Sequence, residues 1–582
     1  MKRPESFRTF FCLLVLKILV IARIRTFTLK NTHTKPYSMT LWTTHFLWFT
    51  IQIPIFLSTL LGSSQPYQSS DFVHADGKKL IDSTGTEILL KGVSFGNDVW
   101  NKKEIPDSHH EEIDFERVRA MNMNAVRFYI NYKTLEDDNK PHTYKNSGWQ
   151  WLDKNIAWAR KYGVYLILNM HVPPGGFQSN GKGTALWKSK KNQKRLALLW
   201  KAIAERYKDE PVIAGYDLLN EPYVTKSYEQ WTLLAKYIAK NIRTVDKNHL
   251  LIVEKPLATH GPDSNNGYNN MFLINDTNTM YTFHFYDPIE YTHQFASWSN
   301  FGEGGGYPDS DNVVVSGKWK WYTATLENPV LPTGTTDWTY LEGKKYKVEN
   351  EDIHLGTLAL VGSGIKNSVY FDDLEIIEYD ETGTYVRTVA EINPVADDYY
   401  YFWSEKEGDG KGAFTSSVGH NDRSSIVIRG TKGDANVNVR KVMFRAKQGY
   451  SYQANGWVKG DDLPEEAKAL IRVDFYNVDG KILGRNKEYL KYLLQPYLKF
   501  RDDYNVPIYL GEYGVIRTCF DNRGGLEWVR DMVDLSLEHK IHSTYHAYHE
   551  DHFGIYYGYG EKINPEKKRT ELIELFTQKF EP

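Results

Sequence analysis

The sequence predicts an α/β fold, a (β/α)8 TIM barrel with a β-sandwich domain inserted between barrel strands six and seven. Short apolar runs alternate with amphipathic helical stretches, which is the pattern of a parallel sheet wrapped by helices. Eight of these runs are nearly continuous in apolar character, as expected for strands buried on both faces in a closed barrel. They are 89–95, 125–130, 165–171, 214–220, 250–255, 281–286, 507–513 and 542–548.

The spacing between the sixth and seventh runs predicts the insert. About 220 residues separate these runs, whereas roughly 25 to 45 are usual for one βα unit. From 311 to 484 the pattern becomes β-rich, and helical character returns at 486–504. We therefore divide the chain into an export segment with linker (1–70), a first barrel part (71–310), the inserted β-sandwich (311–484) and a second barrel part (485–582).

The N-terminal sequence predicts export. Residues 1–9 are basic and precede an apolar run at 10–22, and a second apolar run extends from 45 to 62. The second run is about long enough to span a bilayer, and it ends in small residues that a signal peptidase accepts. We expect a secreted protein, extracellular or periplasmic, whose N-terminal segment is either cleaved or kept as a membrane anchor. The two runs also leave Met39 open as the true start.

The composition narrows the choice of partners. The chain has 71 Lys and Arg against 73 Asp and Glu, a net charge of -2, so it lacks the positive field that gathers nucleic acid. Aromatic residues make up 14% of the chain, and their rings suit either core packing or stacking against sugars. Cys12 lies in the export segment, which leaves Cys519 without an intramolecular disulfide partner. We expect a monomer that does not bind nucleic acid.

Polar residues end several of the apolar runs, where the catalytic groups of such barrels gather. An ionisable group at the end of a buried strand is unexpected for packing alone, because burying an unpaired charge is unfavourable. His284 and Tyr286 are two residues apart, so both side chains point to the same side of their strand. In chain order the candidates are Arg127, His171, Asn220 with Glu221, His284 with Tyr286, and Glu512.

Glu221 and Glu512 provide the pair of carboxyl groups that glycosidic bond cleavage requires. A separation near 5 Å would indicate retention of configuration, and a larger one would indicate inversion. The candidate ligands come from distant strands without a local metal motif, so we expect no metal in the cleft and no cofactor for hydrolysis. For Glu254, which ends the fifth run, an ion pair with Lys255 is favoured over a place in the cleft.

The segment Tyr-Asp-Leu-Leu-Asn-Glu-Pro at 216–222 resembles the Asn-Glu-Pro motif of glycoside hydrolase family 5, the cellulase-like retaining hydrolases. The resemblance implies that Glu221 is the acid/base, that Glu512 is the nucleophile and that Asn220 binds the sugar 2-hydroxyl. It also implies substrate-binding roles for the other strand ends. These resemble the family's residues in the same order, namely Arg127, His171, His284 and Tyr286.

The eighth run departs from the family pattern. The family usually has a tryptophan there, but residues 542–549 contain none. Alignment of the short motif places His546 at that position, with Tyr548 as the alternative.

The insert resembles a carbohydrate-binding jelly-roll module. The segment 370–376 resembles the closing strand of such a module, and 419–428 with Tyr452 and Trp457 resembles its opening half, so the order is circularly permuted. Asp372 and Asp373 suit a structural calcium ion. A sugar-stacking surface, with core packing as the alternative, is predicted from Trp319, Trp321, Trp338 and Trp403.

These residues predict an exported, retaining hydrolase of β-linked polysaccharide. An endo-β-1,4-glucanase is the leading candidate. A β-mannanase or a β-1,3-glucanase on the same barrel remains open, because such enzymes differ in their cleft loops. A carbohydrate-binding protein with a degenerate, non-hydrolytic barrel is the alternative from another class.

Overall fold

The computed structural model describes residues 72–100, 104–106, 109–258, 270–299, 301–394, 400–406, 409–558 and 562–581. The predicted export segment lies outside these residues. In the part of the chain that is described, no helix combines the length and the apolar character needed to cross a bilayer.

Eight parallel strands close into a barrel, which confirms the predicted fold class. Their inner and outer faces are both covered, so almost every strand residue is buried. Three short strands precede the barrel, at His74–Asp76, Lys79–Ile81 and Glu87–Ile88. The barrel strands are Lys91–Phe95, Ala125–Asn131, Tyr165–Val172, Ile213–Asp217, Leu250–Glu254, Thr279–Phe285, Ile508–Tyr513 and His542–Tyr545.

Helices pack around the barrel through one apolar face each. Two buried tryptophans tie helices to the strand ends near the site: Trp200 Nε1 donates to the Leu218 carbonyl at 2.9 Å, and Trp231 Nε1 to the Glu254 carbonyl at 2.8 Å. These bonds fix the main chain beside the polar strand ends. The longer helices are Glu112–Ala120, Asn146–Tyr162, Lys190–Tyr207, Glu229–Ile242, Lys487–Tyr504, Gly525–Glu538 and Thr570–Lys579.

Shorter elements fill the barrel loops. Single helical turns occur at Tyr132–Leu135, Thr184–Lys188 and Ile289–Thr292, with 3-10 turns at Ser179–Gly181 and Arg517–Phe520. Two pairs of short strands also occur. Glu136–Asp137 pairs with Lys140–Tyr144, and Tyr223–Val224 pairs with Leu257–Ala258.

Two antiparallel sheets lie in the chain between barrel strands six and seven and pack around a shared apolar core. The first sheet has the order Asp309–Ala324, Lys468–Arg485, Leu355–Ser363, Ala435–Arg445 and Tyr400–Ser404. The second has the order Gly334–Glu342, Ser451–Leu463, Ser368–Tyr379, Ser425–Arg429 and Lys411–Thr415, with Tyr346–Lys347 and Tyr385–Ile392 paired beside it.

The insert returns to the barrel through Arg485, which is 3% exposed. Its guanidinium donates to the Gly304 carbonyl at 2.5 Å and to Glu290 at 2.9 Å, and both acceptors belong to the loop after the sixth barrel strand. The exit of the insert is therefore bonded to its entry.

The four tryptophans predicted to form one surface lie on opposite outer faces of the insert. Trp338 is on the second sheet, where its neighbour Thr339 pairs with the core residue Val458. Trp319 and Trp321 are on one edge strand of the first sheet, and Trp403 is on its other edge strand. The prediction of a shared surface is wrong, because position in the chain did not reveal which sheet each strand joins.

Candidate active site

Polar side chains from strands two, four, five, six and seven meet at the carboxyl ends of the barrel strands. The structure brings together Arg127, Asn220, Glu221, His284, Tyr286 and Glu512 as predicted, with His171 and His546 beside them. The barrel therefore assembles residues that are almost 400 positions apart in the chain.

Glu512 is the next-to-last residue of the seventh strand, and three donors hold its carboxylate. Arg127 Nη1 lies 2.5 Å and the Tyr129 hydroxyl 2.6 Å from its Oε1, and the Tyr286 hydroxyl donates to Oε2 at 2.8 Å. The side chain of Glu512 is 7% exposed. Charge-assisted bonds of this kind stabilise the carboxylate form.

The charges around Glu512 keep it ionised. Burial by itself would raise the pKa of this carboxyl group, but His284, His546 and Arg127 outweigh that effect and hold the pKa well below its usual range. An ionised carboxylate is the form that can attack as a nucleophile.

Glu221 follows the fourth strand in a left-handed backbone conformation, with a φ of 44°. Such a conformation disfavours a non-glycine residue by about 1 kcal/mol. Its N–H donates to Glu254 Oε2 at 2.9 Å, and its carboxylate accepts from the Ser179 hydroxyl and lies 3.1 Å from His284 Nδ1. The main chain and the side chain of Glu221 are thus both fixed.

The two candidate carboxylates face each other at short range. One oxygen of Glu221, one oxygen of Glu512 and a nitrogen of His284 all lie within 4.8 Å of one another. Retaining glycosidases place their two carboxyl groups about 5 to 5.5 Å apart, whereas inverting enzymes need a wider gap for water. This geometry suits attack on a sugar by the enzyme itself.

Arg127 connects Glu512 to the Asn-Glu motif. The guanidinium is fully buried, and it donates from Nε to Asp217 at 2.8 Å and from Nη2 to Asn220 Oδ1 at 3.0 Å. The amide nitrogen of Asn220 points to the Ser179 hydroxyl at 3.4 Å. The N–H2 group of Asn220 therefore faces Ser179, and its carbonyl oxygen faces Arg127.

His171 and His546 are arranged around Tyr129. The His171 ring stacks on Tyr129 with centroids 3.9 Å apart, and His546 Nδ1 lies 3.1 Å from the tyrosine hydroxyl. Burial lowers the pKa of His171 well below its usual value, and the charge of Arg127 adds to the effect. His171 is neutral at physiological pH, so it contributes a polar, uncharged ring to the site.

Two predictions about this region are wrong. Tyr548 is fully buried and donates to Asp114 at 2.9 Å, behind the barrel wall, since the eighth strand already ends at Tyr545. Glu254 binds the Glu221 N–H, whereas Lys255 contacts the Tyr497 hydroxyl at 3.3 Å. Adjacent strand residues point to opposite sides, which is why Glu254 and Lys255 do not pair.

Other residues of the site were missed. Tyr129 could have been found, because it is two positions after Arg127 and shares its side of the strand. Trp100 and Trp298 are each 45% exposed near the cluster, with Trp100 edge-on to His171 at 5.5 Å and Trp298 near His293 at 6.4 Å. Both lie in loops, where no periodicity reveals orientation.

The same cluster is the one group of three potential metal ligands found among the described residues. Its carboxylates are engaged by Arg127, Tyr129, Tyr286 and Ser179, which are groups that donate to anions. In the insert, Asp372 accepts from the His420 N–H at 2.7 Å and Asp373 accepts from Asn421 at 2.6 Å. The calcium site there stays a prediction.

Comparison with known proteins agrees with the barrel. Residues 81–338 match the family model of cellulase (glycosyl hydrolase family 5). Endoglucanase C of Acetivibrio thermocellus is 32% identical over 197 residues, which cover 34% of this chain and 56% of the relative. A probable glucan 1,3-β-glucosidase A of Aspergillus clavatus is 27% identical over 35% of this chain and 50% of its own length.

A further relative and a solved structure are similar at greater distance. A β-xylosidase of Phanerodontia chrysosporium is 28% identical over 31% of this chain and 46% of the relative. The crystal structure of an endoglucanase from Thermotoga maritima is 15% identical, covers 84% of this chain and 96% of its own, and has a TM-score of 0.44.

The chain spans about half the length of the curated relatives it matches. The family match contains Arg127, His171, Glu221 and His284 but ends before Glu512, so the partner carboxylate rests on the geometry described above. The family match and the endoglucanase relatives together support a glycoside hydrolase.

Proposed function

We propose that this protein hydrolyses β-linked polysaccharide with retention of configuration, with Glu512 as nucleophile and Glu221 as acid/base. The observation that supports the proposal best is the short distance between two carboxylates of different environment. Glu512 is held as an anion by Arg127 and two tyrosines, while Glu221 faces a hydroxyl and an imidazole.

In the first step, a Glu512 oxygen attacks the anomeric carbon and the bond to the leaving oxygen breaks. Glu221 transfers its proton to that oxygen, so the alcohol of the shortened chain departs neutral. The product of the step is a glycosyl ester on Glu512 and a carboxylate at Glu221. Asn220 binds the sugar 2-hydroxyl in this proposal, and the bond between its amide group and Ser179, next to Glu221, supports that role.

In the second step, Glu221 acts as a base and removes a proton from water, and the resulting hydroxide attacks the anomeric carbon. The ester bond breaks and restores the Glu512 carboxylate, and Glu221 is protonated again. Arg127, Tyr129 and Tyr286 stabilise the charge that returns to Glu512.

The substrate we propose is a β-1,4-glucan cleaved internally. The endoglucanase names among the relatives favour it, although a β-xylosidase and a glucan 1,3-β-glucosidase also match. A β-mannanase and a β-1,3-glucanase therefore remain second candidates. A non-hydrolytic binding protein is disfavoured by the complete set of donors around Glu512, which binding alone would not require.

A substrate panel tests this proposal. The purified chain is incubated with cellulose oligosaccharides, mixed-linkage and β-1,3-glucans, mannan and xylan, and the first product is observed by proton NMR. We expect the β-anomer to form before mutarotation, with fastest turnover on β-1,4-glucan. The α-anomer as first product would contradict retention, and absence of turnover on every substrate would contradict hydrolysis.

We also propose that the protein is exported, on the basis of the two N-terminal apolar runs. Fractionation of expressing cells with an antibody to the barrel would detect it outside the cytoplasm. Recovery of the full-length chain in the cytoplasm alone would contradict export.

We propose a second carbohydrate-binding surface on the insert. Tyr340 and Trp457 are paired across neighbouring strands of the second sheet, on the face away from the core. The His420 ring stacks on Trp457 with centroids 4.0 Å apart, and Trp338 meets the edge of His420 at 5.7 Å. Planar rings beside polar groups suit the C–H faces and hydroxyls of sugars.

Hydrogen-bonding groups border these rings. Glu375 accepts from the Tyr340 hydroxyl and from Asn455, each at 2.9 Å, and Asp373 accepts from Asn421. Carboxylates accept hydrogen bonds from sugar hydroxyls, and amides can both donate to them and accept from them. This surface replaces the four-tryptophan surface predicted from the sequence.

Trp338→Ala should weaken binding of soluble mixed-linkage β-glucan about tenfold, because one stacking ring contributes on the order of 1.4 kcal/mol. The measurement is affinity electrophoresis of the full chain with Glu512→Ala in the background, so that the polymer is not degraded. Trp321→Ala is the matched control, since Trp321 is 52% exposed on the outer face of the other sheet. Equal losses in both variants would contradict the surface.

A further inference from the structure

A further acidic residue, Glu254, is buried next to the two carboxylates. Glu254 ends the fifth barrel strand and is 2% exposed. Its Oε2 accepts the Glu221 N–H at 2.9 Å, and its Oε1 lies 3.5 Å from His284 Nε2. The Asn-Glu motif of the resembling family accounts for Glu221 but not for this partner.

The main chain of Glu254 is rigid. Its carbonyl accepts from Trp231 Nε1, and its strand pairs with the sixth strand through Thr282. The main chain that carries the carboxylate is therefore held by a helix and a neighbouring strand. The carboxylate bonds to the backbone of Glu221, which has a left-handed conformation. A strained backbone conformation persists only where its surroundings fix it. Here the Glu221 N–H donates a hydrogen bond to the Glu254 carboxylate, which fixes the Glu221 backbone.

His284 joins Glu254 to both reacting carboxylates. Its Nδ1 lies 3.1 Å from Glu221 and 3.5 Å from Glu512, while its Nε2 faces Glu254. The negative charge of Glu254, 3.5 Å from Nε2, favours the doubly protonated ring, in which Nδ1 is a donor toward Glu221 and Glu512. Without Glu254, Nε2 could keep the single proton of a neutral ring, and Nδ1 would then accept instead of donate.

The charges around Glu254 and His284 favour a proton on this pair of residues. Asp217 and Glu221 add negative charge nearby, and the cations that face Glu254 are Arg127 at 3.7 Å and His284. Burial raises the pKa of Glu254, and the negative neighbours raise it further against the effect of those cations. The carboxylates around His284 outweigh its burial and raise its pKa as well. Lys255, next in the chain, contacts Tyr497 instead.

We propose that Glu254 is a positioning residue for the acid/base: it fixes the main chain of Glu221 and, through His284, keeps a hydrogen-bond donor directed at the carboxylates. The inference rests on the proposed retaining hydrolysis. Glu254 touches no reacting atom, so its removal should impair proton donation by Glu221 and leave the attack by Glu512 largely intact.

The leaving group separates these two effects. The dinitrophenolate group of a dinitrophenyl β-cellobioside departs without protonation. The leaving group of a methylumbelliferyl or unsubstituted phenyl β-cellobioside needs a proton from the acid. Glu254→Leu should lower kcat/KM for phenyl β-cellobioside about 30-fold or more, within the range that general acid catalysis contributes. For the dinitrophenyl substrate we expect a change of less than about threefold. A merely structural defect would lower both values equally.

Glu254→Gln is the conservative variant. It keeps an oxygen that can accept the Glu221 N–H, so most of the loss on phenyl β-cellobioside should be restored. A Gln variant as impaired as the Leu variant would overturn the role at the Glu221 main chain. If Glu254→Leu does not fold, Glu254→Asp takes its place, because it retracts the carboxylate by one methylene and should show the same selective loss.

Asp246→Asn serves as the matched control. Asp246 is also a buried acid, located before the same strand and bonded to Tyr216 and His249. This variant should melt at a lower temperature without changing the ratio of kcat/KM between the two substrates. Equal losses on both substrates in Glu254→Leu would overturn the positioning role alone. A wild-type chain inactive on all β-glycosides would overturn the proposed function with it.

Discussion

Glu512→Ala should lose turnover by about 10⁴-fold or more, the largest effect of any single substitution in this protein. The covalent route disappears with the nucleophile. Arg127 keeps two acidic partners in this variant, because Asp217 and Glu254 remain beside it. We therefore expect a folded protein that binds glycan and does not cleave it.

External azide distinguishes the two glutamates. In Glu512→Ala, azide enters from the face that the carboxylate vacated, so a dinitrophenyl β-cellobioside should give the α-glycosyl azide. In Glu221→Ala, the glycosyl ester still forms on Glu512, and azide attack on it should give the β-glycosyl azide. Both products are identified by NMR. The same anomer from both variants would contradict the assigned roles, as would full turnover by Glu512→Ala.

The barrel and most of its mouth were predictable because burial leaves a strong pattern in the sequence. Strands covered on both faces must be apolar throughout, so a polar residue such as Arg127 or Glu512 stands out at the strand end. The closed barrel then brings such ends together whatever their separation in the chain. The same argument predicted the position of the insert from the interval between strands six and seven.

Residues outside that pattern were harder to place. Tyr548 continued the apolar character of its run past the end of the strand at Tyr545, so it resembled a strand-end residue although it is bonded to Asp114. The prediction for Glu254 was wrong for a different reason. An acid next to Lys255 in the sequence suggested an ion pair between the two residues. Sequence neighbours in a strand point apart, and the true partner of Glu254 is the backbone of Glu221, across the sheet.

The insert shows where sequence information ends. Its strands alternate correctly, but alternation does not reveal which strands share a sheet. Trp338 and Trp321 are 17 residues apart and lie on opposite outer faces, while Trp457 joins Trp338 through His420 from more than a hundred residues away. Binding surfaces on a sandwich depend on this long-range pairing.

Arg127→Met should reduce activity and stability together. The guanidinium is the shared partner of Asp217, Asn220 and Glu512, so its loss leaves buried acids without their cation. Breaking a buried ion pair by removing one partner costs about 3 to 5 kcal/mol. We expect a matching decrease in the free energy of unfolding, measured by urea denaturation at neutral pH.

The pH dependence of that loss has a definite sign. Because the folded-state pKa of Glu512 is depressed, its contribution to stability is present above its unfolded pKa of about 4.3 and is lost as the pH falls through the folded value. Arg127→Met removes one cause of the depression. The deficit in stability should therefore be largest at neutral pH and smaller in acid, where Glu512 becomes protonated in both proteins.

The pH dependence of activity should change in Arg127→Met as well. Without Arg127, the pKa of Glu512 rises, and the acid limb of kcat/KM should shift to higher pH. Arg195→Met is the matched control, because Arg195 is also buried and paired, with Glu136 and Asp138, away from the cluster. It should lower stability and leave the acid limb in place. An unshifted acid limb in Arg127→Met would mean that the two tyrosines and His284 suffice to keep the nucleophile ionised.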